Sequence, residues 1–334
     1  GVTGTHGIAP HPPSNLYRVI HEAARRCGYR DVHNRHIAIN SAARDGRPGC
    51  LQMGFCNQGC KINAKWSTLA AEIPRAEATG RLDLRTGCQA TRIEVDRRGR
   101  AAAVIYRDAD GAEQRQRVAT LFLACNAIET ARLLLLSSSS AFPDGLGNGS
   151  GQVGRNYMWH INALAFARMP QPVHMHRGIV TPGTIFDEAT HDPRRGFAGG
   201  YLMEAVAMAP VSVALLVGGT AWGAEFAAFM ENYDHLAGVL LNGEELPRES
   251  NRITLDAAVK DRYGLPVANV HVDEHPQSDA MRAHFEARVT ALFDSLDGRD
   301  MRSGIPASAT HNMGTARMSE RPADGVTDRF GRSH

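Results

Sequence analysis

The chain has 334 residues, 43% of them apolar and 22% charged, and a net charge of +2. That composition is ordinary for folded domains. It excludes disorder and collagen-like structure, and the charge balance excludes a strong global attraction to nucleic acid or membrane surfaces. No apolar run approaches the roughly 20 residues of a membrane span, and the length suits about two domains.

The chain starts with the loop-like string GVTGTHG and no initiator Met. Pro12-Pro13-Ser14-Asn15 then supplies a stop and a cap. Leu16, Val19, Ile20, Ala23 and Ala24 recur at helical spacing as far as Gly28, which predicts a helix. Arg30 to Gly49 reads as irregular with short extended pieces. A second helical pattern runs from Ala64 to Thr79 through Trp66, Leu69, Ile73 and Ala76, with Pro74 predicting a break or kink. Leu82 to Arg85 alternates as a short strand. Ala90–Val95, Ala101–Tyr106 and Gln114–Val118 predict three more, turning at Asp96–Gly99 and Asp108–Gly111. Thr120 to Cys125 is continuously apolar, which predicts a buried, parallel strand. The helical pattern Ile128–Leu136 follows at once, making half of a βαβ unit.

Ser137 to Gly154 is a Ser/Gly-rich loop. Met and Ala then become frequent, and moderately apolar segments lie between Ile161 and Leu241. Arg252–Leu255 and Val267–Val272 read as strands around a turn at Asp261–Gly264. Asp279–Leu296 reads as a helix with Met281, Phe285, Val289, Leu292 and Phe293 on one face. These changes of texture predict domain changes near 155 and near 308. The chain closes on a turn-like stretch only just begun, so its ends read as those of a piece of a longer protein.

Three of the six cysteines cluster as C-x5-C-x3-C: Cys50, Cys56 and Cys60. Thiolates this close can hold an iron–sulfur cluster or a zinc ion, and three suffice for a three-iron cluster with one ligand per iron. The spacing differs from paired CxxC zinc motifs, and packing residues or a disulfide are the structural alternatives. Gly149-Ser150-Gly151-Gln152-Val153-Gly154 fits GxGxxG. It follows a loop and opens no clear helix, so it lacks the strand–helix context that phosphate binding needs. His271 and His275 stand at ligand spacing, but at a strand end, where solvation is the simpler reading.

Three stretches together resemble the glucose–methanol–choline (GMC) oxidoreductases, flavoproteins that oxidise alcohols and sugars. The unit Leu123-Ala124-Cys125-Asn126-Ala127-Ile128-Glu129-Thr130-Ala131-Arg132-Leu133-Leu134 is similar to the family's second signature, with Asn126 in place of Gly and Ala131 in place of Pro. Ser150 to Asn156 resembles the loop leading into the substrate domain. Thr310-His311-Asn312-Met313-Gly314-Thr315-Ala316-Arg317-Met318 resembles the active-site segment H-x-x-G-T-x-x-M. Asn251–Leu255 with Lys260–Pro266 adds a fourth agreement.

The resemblance implies an α/β fold: an incomplete FAD-binding Rossmann-like domain (49–155 and 309–334) and a substrate domain on an antiparallel β-sheet (1–48 and 156–308). It implies FAD as cofactor, with the Gly-rich fingerprint and a second active-site residue outside this chain. It makes His311 the proton acceptor, a role that suits a group titrating near neutrality. It places Ala90, Cys125, Asn126 and Asn312 toward the cofactor, and Trp159 and His160 are candidates to line the substrate cavity. Among bacterial sugar and gluconate dehydrogenase large subunits, some carry a [3Fe-4S] cluster in a Cys-rich segment like that of Cys50, Cys56 and Cys60. Leu51 stands where some have a further Cys. The expected activity is oxidation of a CH–OH group of a sugar or other alcohol by hydride transfer to flavin, with a small subunit and a cytochrome as candidate electron-accepting partners. The cysteines favour a dehydrogenase over the alternative of an O2-using alcohol oxidase. The other alternative is a non-catalytic fragment that binds no flavin. The sequence does not choose between bacterial periplasm and cytoplasm.

Overall fold

The structure, a computed structural model, describes residues 8–34, 37–217, 222–305 and 310–334; the GVTGTHG string lies outside them. In chain order the elements are α1 (Asn15–Arg26), β1 (Val32–Asn34), α2 (Glu72–Ala78), β2 (Gln89–Val95), β3 (Ala101–Arg107), β4 (Glu113–Arg117) and α3 (Asn126–Leu136). There follow β5 (Ile161–Arg168), β6 (Gly183–Ile185), β7 (Tyr201–Ala205), α4 (Pro210–Val217), α5 (Gly223–Glu231), β8 (Leu236–Gly243), β9 (Arg252–Lys260), β10 (Pro266–His271), α6 (Pro276–Asp294) and β11 (Arg299–Ile305). No helix among the described residues is long and apolar enough to cross a membrane.

The chain divides into two compact units. The first comprises 1–82, 161–244 and 276–308; the second comprises 83–160, 245–275 and 309–334. The first is built on a six-stranded sheet in the order β1-β6-β7-β8-β5-β11, antiparallel throughout. Its β5 reads Ile-Asn-Ala-Leu-Ala-Phe-Ala and is buried on both faces, as a strand without polar alternation must be. Helix α1 starts where Ser14 Oγ accepts the Tyr17 N–H (3.2 Å), and it turns Leu16, Ile20, Ala23 and Ala24 into the core. Helix α6 contributes Met281, Phe285, Val289, Leu292 and Phe293 to the same core, the face its spacing predicts.

The second unit holds the meander β2-β3-β4, helix α3 and the hairpin β9-β10. Ile93, Ala131, Leu133, Leu134, Val153, Tyr157, Ile253 and Val326 form its core. The hairpin is bound into this unit by Asp261. Its carboxylate accepts from Arg132 Nη2 of α3 (2.6 Å), from Gln89 Nε2 of β2 (3.0 Å) and from the turn N–H groups of Tyr263 and Leu265. Arg132 Nε also donates to the Pro266 carbonyl at 2.8 Å.

The units divide the chain differently from the sequence expectation. Residues 49–82 pack in the first unit, tied there by the Cys50 N–H to the Asn40 carbonyl and by an Ile39–Lys65 bridge. Residues 245–275 pack in the second, held by the Asp261 contacts. Three element predictions also change. The helix expected from Ala64 begins only at Glu72, which puts Pro74 in its first turn, where no intrahelical N–H is needed. Leu82 to Arg85 forms no strand; Arg85 instead turns to Asp83, Tyr106 and Gln116. Thr120 to Cys125 forms no strand: nothing among the described residues pairs with it, and Phe122 is 87% exposed. A parallel strand is defined by its neighbours, and an apolar run cannot supply them.

Two predictions follow from the second unit. Gly154 has φ +84°, and a Cβ there would lie 2.3 Å from the Ile253 carbonyl oxygen, whereas Gly149 has open space around it. Gly154→Ala is expected to destabilise by about 2 kcal/mol or more and Gly149→Ala by a few tenths at most, as read by denaturant unfolding. Burial raises the pKa of Asp261, but Arg132 and the turn N–H groups outweigh it and push it down to about 2. A depressed carboxylate pKa gives stability that is complete above the unfolded value, near pH 4, and is lost as pH falls toward 2. Asp261→Asn is therefore expected to remove about 2 kcal/mol at pH 7 and to flatten the acid limb between about pH 4 and 2.

Candidate active site

The segment 154–160 lies between two other pieces of the second unit. On one side, Ile253 N–H donates to the Gly154 carbonyl (2.8 Å) and Tyr157 N–H to the Asn251 carbonyl (2.9 Å). On the other, it runs antiparallel to 310–315. Met158 and Met313 exchange both backbone hydrogen bonds (3.1 and 3.0 Å). Thr315 N–H reaches the Arg155 carbonyl (3.0 Å) and Gly154 N–H the Thr315 carbonyl (2.8 Å). The pairing is centred on the Met158–Met313 bridge and shifts by a residue on either side of it, where His160 N–H reaches the Thr310 carbonyl (3.3 Å) and Thr315 N–H the Arg155 carbonyl.

It brings His311 against His160. Their Nδ1 atoms are 2.7 Å apart, so one ring donates and the other accepts. Asn312 meets Tyr157, whose hydroxyl donates to Asn312 Oδ1 at 2.8 Å. Burial raises the pKa of the Tyr157 phenol, which keeps it a donor. The Tyr157 ring also packs against Trp159, with centroids 5.7 Å apart. His311 and Asn312 are exposed and His160 is half-buried, so the pair stands at the surface of this unit.

Each small residue of the active-site-like segment has a local reason. Gly314 sits at φ +86°, and a Cβ there would lie 1.9 Å from the Asn156 carbonyl oxygen, so only glycine allows the two backbones to meet. Thr315 is buried at φ +66°, an unfavourable conformation for a β-branched residue, and its hydroxyl donates to the Ala127 carbonyl at 2.7 Å. His311 also lies in the left-handed region, at φ +60°. Backbone held in such conformations gathers at functional sites.

Asn126 begins α3 at φ +61°, and its Oδ1 accepts the N–H groups of Ile128 (2.8 Å) and Glu129 (3.3 Å). It replaces a glycine of the signature with the residue that best tolerates that conformation, and its side chain is spent on capping. Cys125 beside it is half-buried against the second core. Ala90 is exposed on β2 opposite Tyr106, at the edge of a cavity of about 420 Å3 bordered by Asp83, Arg85, Val104, Tyr106 and Gln116. The GxGxxG run is a loop, and Gly154 serves backbone packing. His271 Nε2 pairs with Thr254 Oγ1 at 2.9 Å.

In the first unit, Cys50 and Cys60 pack with buried Cys56 around Ile39, Ala64 and Ile179. All six cysteines are free thiols, so the disulfide alternative falls. Cys50 Sγ accepts the Gln52 N–H (3.3 Å) and Cys60 Sγ the Lys65 N–H (3.4 Å). Burial pushes the Cys56 thiol pKa up. The Val180 backbone and Lys65 oppose this, while Cys50 and Cys60 add to it.

Sequence reading named His311 and Asn312, and His160 as a candidate cavity residue, but not the pairing of His160 with His311 or of Tyr157 with Asn312. His160 is separated from His311 by 151 positions, and its only signal was the aromatic run Tyr157-Met158-Trp159-His160 just after the glycine loop. The capping role of Asn126 is open to test. Asn126→Ala, which loses both the acceptor and the favourable conformation, should lower stability by about 1–2 kcal/mol, and Asn126→Gly by clearly less, in parallel unfolding curves.

Residues 2–162 match the N-terminal domain of the GMC oxidoreductases and residues 247–334 their C-terminal domain. Similar characterised proteins include 2-methyl-1,2-propanediol dehydrogenase of Mycolicibacterium austroafricanum (29% identity, covering 98% of this chain and 61% of that protein). Paromamine 6'-oxidase of Streptomyces fradiae is 27% identical over 99% of this chain and 60% of its own length. The fructose dehydrogenase large subunit of Gluconobacter japonicus is 28% identical over 89% and 55%. The chain thus spans between half and two thirds of these relatives. With both family domains matched in order, the His311 segment inside the second, the chain belongs to the GMC oxidoreductase family.

Proposed function

We propose that this chain is part of an FAD-dependent dehydrogenase that oxidises a CH–OH group of a sugar or other alcohol, with His311 accepting the hydroxyl proton. The observation that carries this reading is the hydrogen-bonded pair of His311 and His160, at the segment that resembles the family's active site. The names of the relatives, a diol dehydrogenase, a paromamine 6'-oxidase and a fructose dehydrogenase subunit, support the substrate class.

GMC oxidoreductases bind FAD, and the residues present are compatible with it. The cavity beside Ala90 has room for an aromatic base, and Asn312 offers an exposed polar edge. Because the side chain of Asn126 is engaged as a cap, Cys125 and Asn126 would contribute backbone groups. When bound, the flavin supplies the hydride acceptor. The protein's task is then to take the proton. If His311 Nδ1–H donates to His160 Nδ1, His311 Nε2 is bare and can accept a hydroxyl proton; the opposite polarity would leave it protonated and inert as a base. In this role His160 is a positioning residue that selects the tautomer and steadies the imidazolium once it forms. Tyr157 holds the Asn312 carboxamide in one orientation. In this reading the second unit is the flavin side and the first, on its antiparallel sheet, the substrate side.

The same reading takes Cys50, Cys56 and Cys60 as ligands of an iron–sulfur cluster. Their gathering on one core and the N–H···S bonds to Cys50 and Cys60 suit thiolate ligands; these three would hold the cluster, whose chemistry would be one-electron transfer, with a small subunit and a cytochrome as the candidate acceptors. In the full-length protein, His311→Ala is expected to keep bound flavin and to slow its reduction by substrate by about 10²–10⁴-fold. His160→Phe should slow reduction by about tenfold or more and shift its pH profile. Anaerobic rapid mixing reads both, and near-normal reduction in His311→Ala would overturn the assignment.

A further inference from the structure

The first unit contains a second group of metal-ligating side chains, unrelated to the cysteines. His174 and His176 stand two residues apart on the loop 173–178, and Asp234 lies in a short turn that packs on it. His174 Nδ1 is 3.3 Å and His176 Nδ1 3.8 Å from Asp234 Oδ1, and one donor atom from each residue lies within 4.8 Å of the others. In a tetrahedral zinc site with bonds of about 2.0–2.1 Å, neighbouring donors are about 3.4 Å apart, close to this spacing. Among the described residues no other trio of His, Cys, Asp or Glu converges this closely.

Two observations argue that the convergence has a purpose. Both Nδ1 atoms are buried, yet neither makes a hydrogen bond, although a carboxylate oxygen lies beside them. Buried polar atoms in folded proteins are satisfied as a rule, and an orphaned pair facing a common point is what a ligand set looks like without its ion. The backbone is also committed to the arrangement. His174 sits at φ +51°, and the Val173 and His174 N–H groups donate to the Asp234 carbonyl at 2.7 and 2.8 Å. The His176 ring packs on Tyr233, with centroids 5.3 Å apart.

We propose that His174, His176 and Asp234 bind a divalent cation of the zinc class, which clamps the loop 173–178 to the turn at 233–235. Two imidazoles and one carboxylate select a borderline transition metal over magnesium or calcium, which take all-oxygen sites. The clamp has a defined neighbour. Gly178 N–H donates to the Gln52 carbonyl (2.9 Å), and Met53 bridges Gly178, so the metal-bound loop braces the segment that carries Cys50 and Cys56. The site is independent of the flavin reading.

The test uses the full-length protein with any affinity tag removed. After stripping with a chelator, it is titrated with Zn2+ against a chromophoric competitor, in a background carrying Cys50→Ser, Cys56→Ser and Cys60→Ser. The expected result is about one equivalent bound per chain, with affinity lowered by about 100-fold in Asp234→Asn and in His176→Gln. Should the cysteine variant fail to fold, the same two substitutions in the unaltered chain should lower bound zinc by about one equivalent. No zinc bound in a folded cysteine-free chain, or equal uptake with and without Asp234→Asn, would overturn the proposal.

Discussion

The second unit depends on one backbone arrangement: the segment 154–160 hydrogen-bonded to 251–253 on one side and to 310–315 on the other. Each contact is an ordinary amide pair contributing about 1 kcal/mol net. Their combined effect is one of register. Met158 lies opposite Met313, and on either side of that pair His160 meets His311 and Tyr157 comes within reach of Asn312. A slip of one residue would turn these side chains to the other face. The glycines follow from the same constraint, since Gly154 and Gly314 are the points where two backbones approach too closely for a Cβ.

Helix α3 is joined to this arrangement through Thr315, whose hydroxyl reaches the Ala127 carbonyl, and to the hairpin through Arg132 and Asp261. The H-x-x-G-T segment thus has a separate physical duty at each marked position. His311 presents an imidazole, Gly314 permits close approach, and Thr315 anchors the segment to the start of α3. Conformations that are unfavourable in isolation, at His311 and Thr315, are held because hydrogen bonds on both sides over-determine them.

Much of the fold was legible where a residue's role is local. The cap at Ser14, the buried face of α6 and the strand–turn pattern of β2, β3 and β4 follow from periodicity and turn chemistry. What was not legible depends on partners distant in sequence. The apolar run Thr120–Cys125 has strand composition, but whether it pairs depends on what runs beside it. The assignment of 245–275 to the second unit rests on Asp261 finding Arg132, 129 positions away. At the candidate site, His311 was recognisable from the residues after it, whereas His160 had no motif of its own. Asn126, expected beside the cofactor, proves to be a helix cap whose left-handed conformation explains why an asparagine can stand in for the signature glycine. His174 and His176 escaped notice because their third partner, Asp234, becomes visible only in three dimensions.

The central claim is that this chain serves a flavin enzyme that takes hydride from an alcohol carbon. The most direct measurement is anaerobic mixing of the full-length protein with simple alcohols, diols and sugars, each unlabelled and deuterated at the carbinol carbon. The account predicts that at least one of them bleaches a bound flavin without added nicotinamide cofactor, and that deuteration slows the bleaching several-fold. A purified protein without flavin, or a bound flavin that no alcohol or sugar reduces, would contradict it.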